Sequence, residues 1–484
     1  MLRLLSDIFK MDTPLEKEFP GMKKELSFSF LPLRKELLTN LLSLNYHQMT
    51  PIQAQSLPVI LNNSDVIAQA QTGSGKTVAF GLSLLQHLKI DQSFTQSMVL
   101  CPTRELAEQV SQVLRRLARQ LPNVKILNLS GGIPIRPQYD SLRHGAHIIV
   151  GTPGRILKHL LQKTLSLSHN NKVVLDEADR MLDMGFLEDI QKILHHCPLK
   201  RQTLLFSATF SPSIKQIAKN FMQNPQEIKV EEQRIGQEIE QNFFEVQHPN
   251  EKYTVLKKIL AHYQPTSTLI FCNTKEKTIE LTSELKRDGF SVCVLNGDFE
   301  QFERDQAMIL FGNHSRRILV ATDVAARGLD IRELPAVINY DVAFEPEVHV
   351  HRIGRTGRAG CKGFAFSITT HQDAERLCAI EELMGTKLVW ENIENVLPSK
   401  SETSTPEMVT LRLMAGRKDK IRPGDILGAL TKEAGLKADM IGKIDISTFH
   451  AYVAIEKSQA KKAYEHFIQG KVKGKKIGVE YIDS

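Results

Sequence analysis

The sequence predicts an α/β protein with two parallel-sheet blocks in tandem, followed by a smaller C-terminal unit. Short apolar runs alternate with helical segments over residues 26–230, and a second series of the same kind spans residues 242–397. Alternating strands and helices of this length are typical of βαβ units, which build parallel sheets. A polar stretch that begins and ends with proline, residues 398–406, separates residues 407–484 from the second block.

Composition supports this division. Residues 1–25 are expected to form a loose extension, and the polar residues 231–241 are expected to link the two blocks. With 484 residues, of which 42% are hydrophobic and 24% charged, the chain has the make-up of a globular protein of about three domains. A formal net charge of +7 weakly favours a polyanionic partner.

Six cysteines are scattered along the chain without a Cys-x-x-Cys pair. This pattern argues against a zinc site and a disulfide framework, and it fits a reducing compartment. The N-terminus has no sustained apolar core, and no run of about 18 apolar residues occurs anywhere. We therefore expect a cytoplasmic protein that has neither a signal peptide nor a membrane span. We also expect it to be a monomer.

The chain is organised around a glycine-rich stretch that follows the apolar run 65–68 and opens a predicted helix. Its residues are Ala70, Gln71, Thr72, Gly73, Ser74, Gly75, Lys76 and Thr77. Glycine lets the backbone wrap closely around phosphate oxygens, and the N–H groups of the following helix point at the anion. Lys76 adds a positive charge for the terminal phosphates, and the Thr77 hydroxyl can ligate Mg²⁺. The alternative is an ordinary glycine-rich turn between a strand and a helix.

An acidic pair follows the apolar strand 173–175. Asp176 can hold Mg²⁺ through water there, and Glu177 can orient or deprotonate an attacking water. The alternative is a helix N-cap, because acidic residues suit a first helical turn. The presence of the glycine-rich stretch favours a nucleotide-hydrolysing site.

The residues 176–179 spell Asp-Glu-Ala-Asp, and the chain resembles the DEAD-box RNA helicases over roughly residues 28–380. The resemblance implies two RecA-like domains, with ATP and Mg²⁺ as cofactors and RNA as partner. It also implies that Gln53 contacts adenine and that Phe28 stacks on the base, although Phe30 is a rival for that role.

One departure from the family is Asn45, which stands where glycine is usual. Asparagine tolerates left-handed backbone, so we expect little loss.

The same resemblance implies that three loops of the first block contact the RNA backbone. Each follows an apolar strand, so all lie at the carboxyl edge of the sheet, where α/β proteins bind ligands. Such contacts position RNA without reading its base sequence. The implied RNA contacts are Thr103, Arg104, Gly131, Gly132, Thr152 and Arg155. The residues implied to couple the acidic motif to the RNA-bound state are Asp179, Ser207 and Thr209.

In the second block, the stretch 351–358 combines arginines, a histidine and glycines, which suits contact with polyphosphate; the alternative is a solvated basic turn. The resemblance implies that Arg355 and Arg358 are arginine fingers on the γ-phosphate and that His351 links to the acidic motif. The residues implied to meet the γ-phosphate and the ribose are Gly328 and Asp330. The implied RNA contacts of this block are Asn273, Thr274, Gly297, Arg304 and Thr322.

Residues 407–484 contain 15 lysines and arginines against 10 acidic residues. Their pattern predicts the order βαββαβ, the ferredoxin-like order of RRM modules, with the last strand at 476–481. The opening strand has no aromatic residue, which argues against base stacking on the sheet. The candidate RNA contacts are instead basic: Arg417, Lys418, Lys420 and Lys473. The unit resembles the C-terminal domain of bacterial DbpA-type helicases, which implies recognition of a 23S ribosomal RNA hairpin during large-subunit assembly.

The resemblance implies an RNA-stimulated ATPase that locally unwinds short duplexes. Three alternatives stay open at this point: an ATP-gated RNA clamp or scaffold, a general RNA chaperone without ribosomal RNA specificity, and a DNA motor of the wider superfamily.

Overall fold

The computed structural model describes residues 26–70, 73–210, 212–230, 239–326, 334–357, 362–397 and 405–482. The expected N-terminal extension, residues 1–25, lies outside these ranges, as do most residues of the two expected linkers. The chain divides into two compact units after residue 231. None of the helices in the described ranges combines the length and apolarity that a bilayer crossing needs.

The first unit is a seven-stranded parallel sheet in the order β3-β4-β2-β5-β6-β1-β7, covered by helices. Its elements are α1 (Lys35–Ser43), α2 (Pro51–Leu61), β1 (Val66–Gln69), α3 (Lys76–Gln86), β2 (Ser97–Leu100), α4 (Arg104–Leu117), β3 (Ile126–Leu129), α5 (Arg136–Arg143), β4 (Ile148–Gly151), α6 (Pro153–Leu161), β5 (Lys172–Asp176), α7 (Ala178–Asp183), α8 (Leu187–His195), β6 (Gln202–Ser207), α9 (Pro212–Phe221) and β7 (Gln226–Lys229).

The central strands of this sheet are buried on both faces, which explains their continuous apolar runs. Side chains of β6 alternate between two cores: Phe206 packs in one with Phe80 of α3, and Leu205 packs in the other with Met181 of α7. Because all strands are parallel, their carboxyl ends meet at one edge, and the loops that follow β1, β2, β3, β4, β5 and β6 all begin there.

The second unit begins with a six-stranded parallel sheet in the order β10-β11-β9-β12-β13-β8. Its elements are β8 (Ile239–Val246), α10 (Lys252–Tyr263), β9 (Thr268–Phe271), α11 (Lys275–Arg287), β10 (Val292–Leu295), α12 (Gln301–Gly312), β11 (Ile318–Ala321), α13 (Asp323–Ala326), β12 (Ala336–Asn339), α14 (Pro346–Ile353), β13 (Gly363–Thr370) and α15 (Ala374–Met384). The predicted C-terminal boundary of the linker 231–241 is wrong, because β8 already begins at Ile239, which is buried and pairs with β13.

The C-terminal domain has the predicted order βαββαβ. Its elements are β14 (Met408–Leu413), α16 (Pro423–Gly428), β15 (Ile441–Ile446), β16 (Ala451–Glu456), α17 (Ala460–Gln469) and β17 (Val479–Tyr481). The antiparallel sheet runs β15-β16-β14-β17, and a π-helical turn, Ala429–Glu433, continues α16. The last strand starts at Val479, three residues later than the sequence predicts.

One face of the C-terminal sheet packs on its own helices, and the other face packs on α12 of the second α/β domain. Tyr452 of β16 and Ile482 form a small apolar cluster with Leu310 of α12. Thr410 of β14 contacts Asn313 and Ser315, which follow α12. The face on which RRM modules usually stack bases is therefore covered by protein.

Candidate nucleotide site and RNA-facing surface

The glycine-rich stretch forms the expected turn between β1 and α3. Gly75 is the N-cap of α3 and has a φ of 94°, and a Cβ at this position would lie 2.5 Å from the Gln53 Nε2 atom. Only glycine fits that backbone and that space. Ala70, just after β1, continues the pairing with β6, because its N–H donates to the Ser207 carbonyl at 2.9 Å. Gln71 and Thr72 lie outside the described residues.

The first helical residue of α3, Lys76, points its ammonium at the acidic turn that follows β5. Its Nζ lies 3.1 Å from Asp176 Oδ1 and 3.9 Å from Glu177 Oε1. Burial opposes the charge on Lys76, but the two carboxylates outweigh burial and hold the pKa of Lys76 above its ordinary value. The structure thus brings together the two predicted parts of the nucleotide site that lie in this unit, the glycine-rich stretch and the acidic turn.

The site's residues fit Mg²⁺ and a nucleotide phosphate. Asp176 is fully buried; its Oδ1 pairs with the Lys76 ammonium, and its Oδ2 accepts no hydrogen bond from the described residues. Such oxygens suit a hard cation, which typically takes one or two protein carboxylates and completes its shell with phosphate and water. Asp176 and the Thr77 hydroxyl would hold the cation, which would screen the charge of the phosphates.

Glu177 has a left-handed backbone, with φ 52° and ψ 53°, at the N-cap of α7. This conformation costs a non-glycine residue on the order of 1–3 kcal/mol and tends to occur at functional sites. Arg180 Nε lies 3.4 Å from Glu177 Oε2 and helps to orient the carboxylate. The backbone turn and this pairing hold Glu177 beside Asp176, where a base for water is predicted.

Asp179 joins the acidic motif to the loop after β6. Its Oδ2 accepts hydrogen bonds from the N–H groups of Ala208 and Thr209, at 3.0 and 3.1 Å, and the Thr209 hydroxyl lies 3.4 Å away. Ser207 contributes its Oγ to the same turn as an acceptor for Thr209 N–H. The three predicted coupling residues are therefore one hydrogen-bonded group, and their coupling role stays a prediction.

The predicted adenine contact is engaged with the protein itself. Gln53 accepts from the Thr50 N–H at 2.9 Å and donates to the Gly75 carbonyl at 3.0 Å, which leaves one donor and one acceptor position for a base. Phe28 is 3% exposed and packs in the core, whereas Phe30 is 49% exposed. Stacking by Phe28 stays a prediction, and Phe30 is the exposed alternative. Asn45 has the expected left-handed backbone, with a φ of 60°.

The predicted RNA contacts of the first unit share the carboxyl edge of its sheet. Thr103 caps α4 by accepting from the Leu106 N–H at 3.2 Å, and Thr152 is the N-cap of α6. The Arg104 side chain lies against Gly131 and Gly132, and a Cβ on Gly132 would collide with its guanidinium. Arg155, in the first turn of α6, extends toward the same loop.

In the second unit, the structure changes the interpretation of the arginine-rich stretch. Arg352 is 1% exposed and binds Asp323 in a bidentate pair at 2.7 Å. It also donates to the side-chain oxygen of Asn273 at 2.8 Å. Arg352 is therefore a buried structural link and not available for polyphosphate, and the Asn273 side chain is already occupied. Arginine spacing gave no sign that Arg352 is held in this buried network.

The remaining candidates of the second unit lie in loops and helices next to its strands or outside the described residues. Thr274 caps α11, Gly297 packs against Lys275, and Arg304 reaches the carbonyls of Asn296 and Ala325. Thr322 precedes α13, and His351 and Arg355 lie within and just after α14. The candidates outside the described residues are Gly328, Asp330 and Arg358.

Basic residues of the C-terminal domain gather around one turn. Arg417 and Lys418 lie in a 3₁₀ turn that ends before Lys420, and Lys473 donates to the Lys420 carbonyl at 2.8 Å. Lys418 lies over the Phe449 ring at 4.3 Å, and that ring is 56% exposed. The four predicted contacts thus form one basic surface with an aromatic ring beside it.

Comparison with known proteins agrees with this geometry. Residues 50–217 match the DEAD/DEAH box helicase family, residues 251–360 the helicase conserved C-terminal domain, and residues 410–481 the DbpA RNA binding domain. The chain is 48% identical over 447 residues to the ATP-dependent RNA helicase DbpA of Escherichia coli, covering 92% of this chain and 97% of that protein.

Two further proteins are similar to this chain at lower sequence identity. The ATP-dependent RNA helicase DbpA of Bacillus subtilis is 36% identical, over 93% of this chain and 98% of its own length. The structure of S. cerevisiae Dbp5 bound to RNA and ADP BeF3 aligns with a TM-score of 0.69 at 31% identity, over 76% of this chain and 96% of that one. The chain therefore belongs to the DEAD-box ATP-dependent RNA helicases, among those with a C-terminal DbpA RNA-binding domain.

Proposed function

We propose that this helicase is directed to a hairpin of 23S ribosomal RNA in a large-subunit precursor, where it unwinds short neighbouring duplexes. The observation that carries the proposal is the basic surface of the C-terminal domain, which matches the DbpA RNA-binding family. Lysine and arginine side chains bind the RNA backbone, and an exposed aromatic ring can stack on an unpaired loop base. The protein works as a monomer in the cytoplasm.

In the catalytic cycle, Lys76 and the N–H groups at the start of α3 bind the terminal phosphates of ATP. Mg²⁺, held by Asp176 and Thr77, would neutralise charge that develops on the phosphates. Glu177 orients and deprotonates the attacking water, while Arg355 and Arg358 stabilise the γ-phosphate. Asp179 transmits the state of the nucleotide to the loop of Ser207 and Thr209.

The test compares activation of the ATPase by the ribosomal hairpin and by a scrambled RNA at a stated salt concentration, because phosphate contacts make affinity salt-dependent. In the full-length Lys420→Glu/Lys473→Glu variant, we expect the preference for the hairpin to fall by about tenfold or more, because two phosphate contacts become repulsive. Lys461→Glu is the matched control, since Lys461 is exposed on α17.

Two outcomes would contradict the proposal. One is an unchanged hairpin preference in the double variant, and the other is an equal loss in the Lys461→Glu control. A duplex-release assay with saturating ATP distinguishes unwinding from a clamp, because a clamp would hydrolyse ATP without releasing the strand.

A further inference from the structure

A cluster of buried polar side chains adjoins the predicted RNA contacts of the first unit. Its two main side chains were not among the predicted site residues. Gln138 of α5 is 5% exposed, and His159 of α6 is fully buried. Burying such side chains is unfavourable unless their hydrogen bonds are satisfied, so each bond they make is informative.

The Gln138 amide ties three segments together. Its Nε2 donates to the Ser130 carbonyl at 3.2 Å, just before Gly131. Its Oε1 lies 2.7 Å from Arg155 Nη1 and 3.0 Å from His159 Nε2. Arginine can only donate and a carbonyl can only accept, so these neighbours determine which way the amide points. Its oxygen then accepts from both Arg155 and His159.

The loop between Ser130 and Ile133 is held at both ends. Gln138 binds the carbonyl of Ser130, and Arg155 Nη2 donates to the carbonyl of Ile133 at 3.0 Å. The two partners that the described residues offer the Arg155 guanidinium are neutral oxygens, so neither cancels its charge. Burial and then the nearby charge of Arg104 lower the pKa of Arg155. Two cations placed close together in this way suit an anionic ligand such as a phosphate.

His159 holds the Gln138 amide in place through a hydrogen bond. Its Nε2 must carry the proton, because the Gln138 oxygen accepts, and its Nδ1 lies 2.9 Å from the Thr164 hydroxyl. Burial, followed by the charge of Arg155, lowers the pKa of His159 to about 4. The ring is therefore neutral at physiological pH and serves as a fixed donor.

We propose that Gln138 and His159 are positioning residues for RNA binding, which hold the Arg155 guanidinium and the Gly131–Gly132 backbone in the geometry that receives the RNA phosphates. They act through Arg155 and the loop and do not touch RNA themselves. The inference rests on the proposed assignment of Arg155 to the RNA backbone.

The first experiment measures ATPase activity against RNA concentration for Gln138→Met and His159→Met. Each variant should raise the RNA concentration for half-maximal activity by about tenfold, while kcat at saturating RNA and the KM for ATP change less than about twofold. His159→Gln should restore binding, because its Nε2 can replace the histidine donor. Ser141→Ala is the matched control, since it removes an exposed hydroxyl bond to the Pro137 carbonyl within α5, the helix that carries Gln138.

A double-mutant cycle distinguishes positioning from a general structural role. Because Gln138 acts partly through Arg155, Gln138→Met should cost clearly less in the Arg155→Ala background than in the unchanged protein. Additive losses, or a variant that lowers kcat and ATP affinity to the same degree, would overturn the inference. An effect of Arg155→Ala with none of Gln138→Met would also overturn it while leaving the RNA assignment of Arg155 intact. A silent Arg155→Ala variant would refute that assignment and the inference together.

Discussion

The side-chain amide of Asn313 donates a 2.7 Å hydrogen bond to the hydroxyl of Thr410, which joins the second α/β domain to the C-terminal domain. The Ser315 hydroxyl lies 2.7 Å from the same oxygen, and all three side chains are buried. A buried polar group without its partner costs about 1–3 kcal/mol. Thr410 therefore helps to determine where the RNA-binding domain lies on the helicase domain.

Thr410→Val keeps the shape of the side chain and removes the hydroxyl that Asn313 and Ser315 bind. We expect the packing of the C-terminal domain on α12 to weaken by about 1–3 kcal/mol. Hydrogen exchange in α12 and β14 measures this, and both elements should exchange faster. Thr431→Val is the control, because among the described residues the exposed Thr431 hydroxyl binds the Leu427 carbonyl of the same helical segment and no residue of α12. Unchanged exchange in α12 would show that the contact does not hold the domains together.

Lys76→Ala and Arg355→Ala should separate nucleotide binding from turnover. Without Lys76, the buried carboxylates of Asp176 and Glu177 face the phosphates alone, so ATP binding should weaken and hydrolysis should disappear. Without Arg355, ATP should still bind while turnover falls by about 10³-fold, as for the loss of an arginine finger. Binding titrations with a fluorescent ATP analogue and single-turnover rates give the two quantities. An equal loss of ATP binding in both variants would exclude the finger role.

Asp179→Asn should uncouple ATP from RNA. The substitution removes the negative charge that accepts from the N–H groups of Ala208 and Thr209. Each ligand alone should still bind, but the gain in RNA affinity produced by a non-hydrolysable ATP analogue should fall by about tenfold, within the usual range of coupling between sites. RNA titrations with and without the analogue measure the gain. A gain equal to that of the unchanged protein would refute the coupling role.

The buried Lys172 should make the stability of the protein depend on alkaline pH. Its ammonium contacts four neutral side chains, among them Gln202 at 2.6 Å and His87 at 3.2 Å. Burial lowers the pKa of Lys172 from 10.5 to about 8. The native state then releases this proton more readily than the unfolded state, so the free energy of unfolding rises between about pH 8 and pH 10.5, by about 3 kcal/mol.

Urea unfolding at a series of pH values measures this rise for the unchanged protein and for Lys172→Met. The difference between their unfolding free energies isolates the lysine, because the other titrating groups are common to both proteins. An identical pH dependence in both would contradict the low pKa of Lys172.

Several features of this protein follow from local sequence. The strand, glycine turn and helix around Gly75 could be recognised from spacing, because a phosphate-binding turn needs small residues and helical N–H groups in one short segment. The two parallel sheets and the βαββαβ order could be predicted because the period of apolar residues differs between strands and helices. The acidic turn at Asp176 was recognisable because its residues are contiguous.

Only the tertiary structure showed that one arginine of the arginine-rich stretch is a buried structural link. The chain buries Arg352 against Asp323 and Asn273, which come from distant segments. Gln138 and His159 gave no signal in the sequence, because they act through contacts with Ser130 and Arg155 that exist only after α5 and α6 pack. The covered face of the C-terminal sheet could not be predicted for the same reason, because its contacts with α12 exist only in the folded chain. Local periodicity determines which face of a helix or strand is apolar. Which other element packs on that face depends on contacts between residues far apart in the chain.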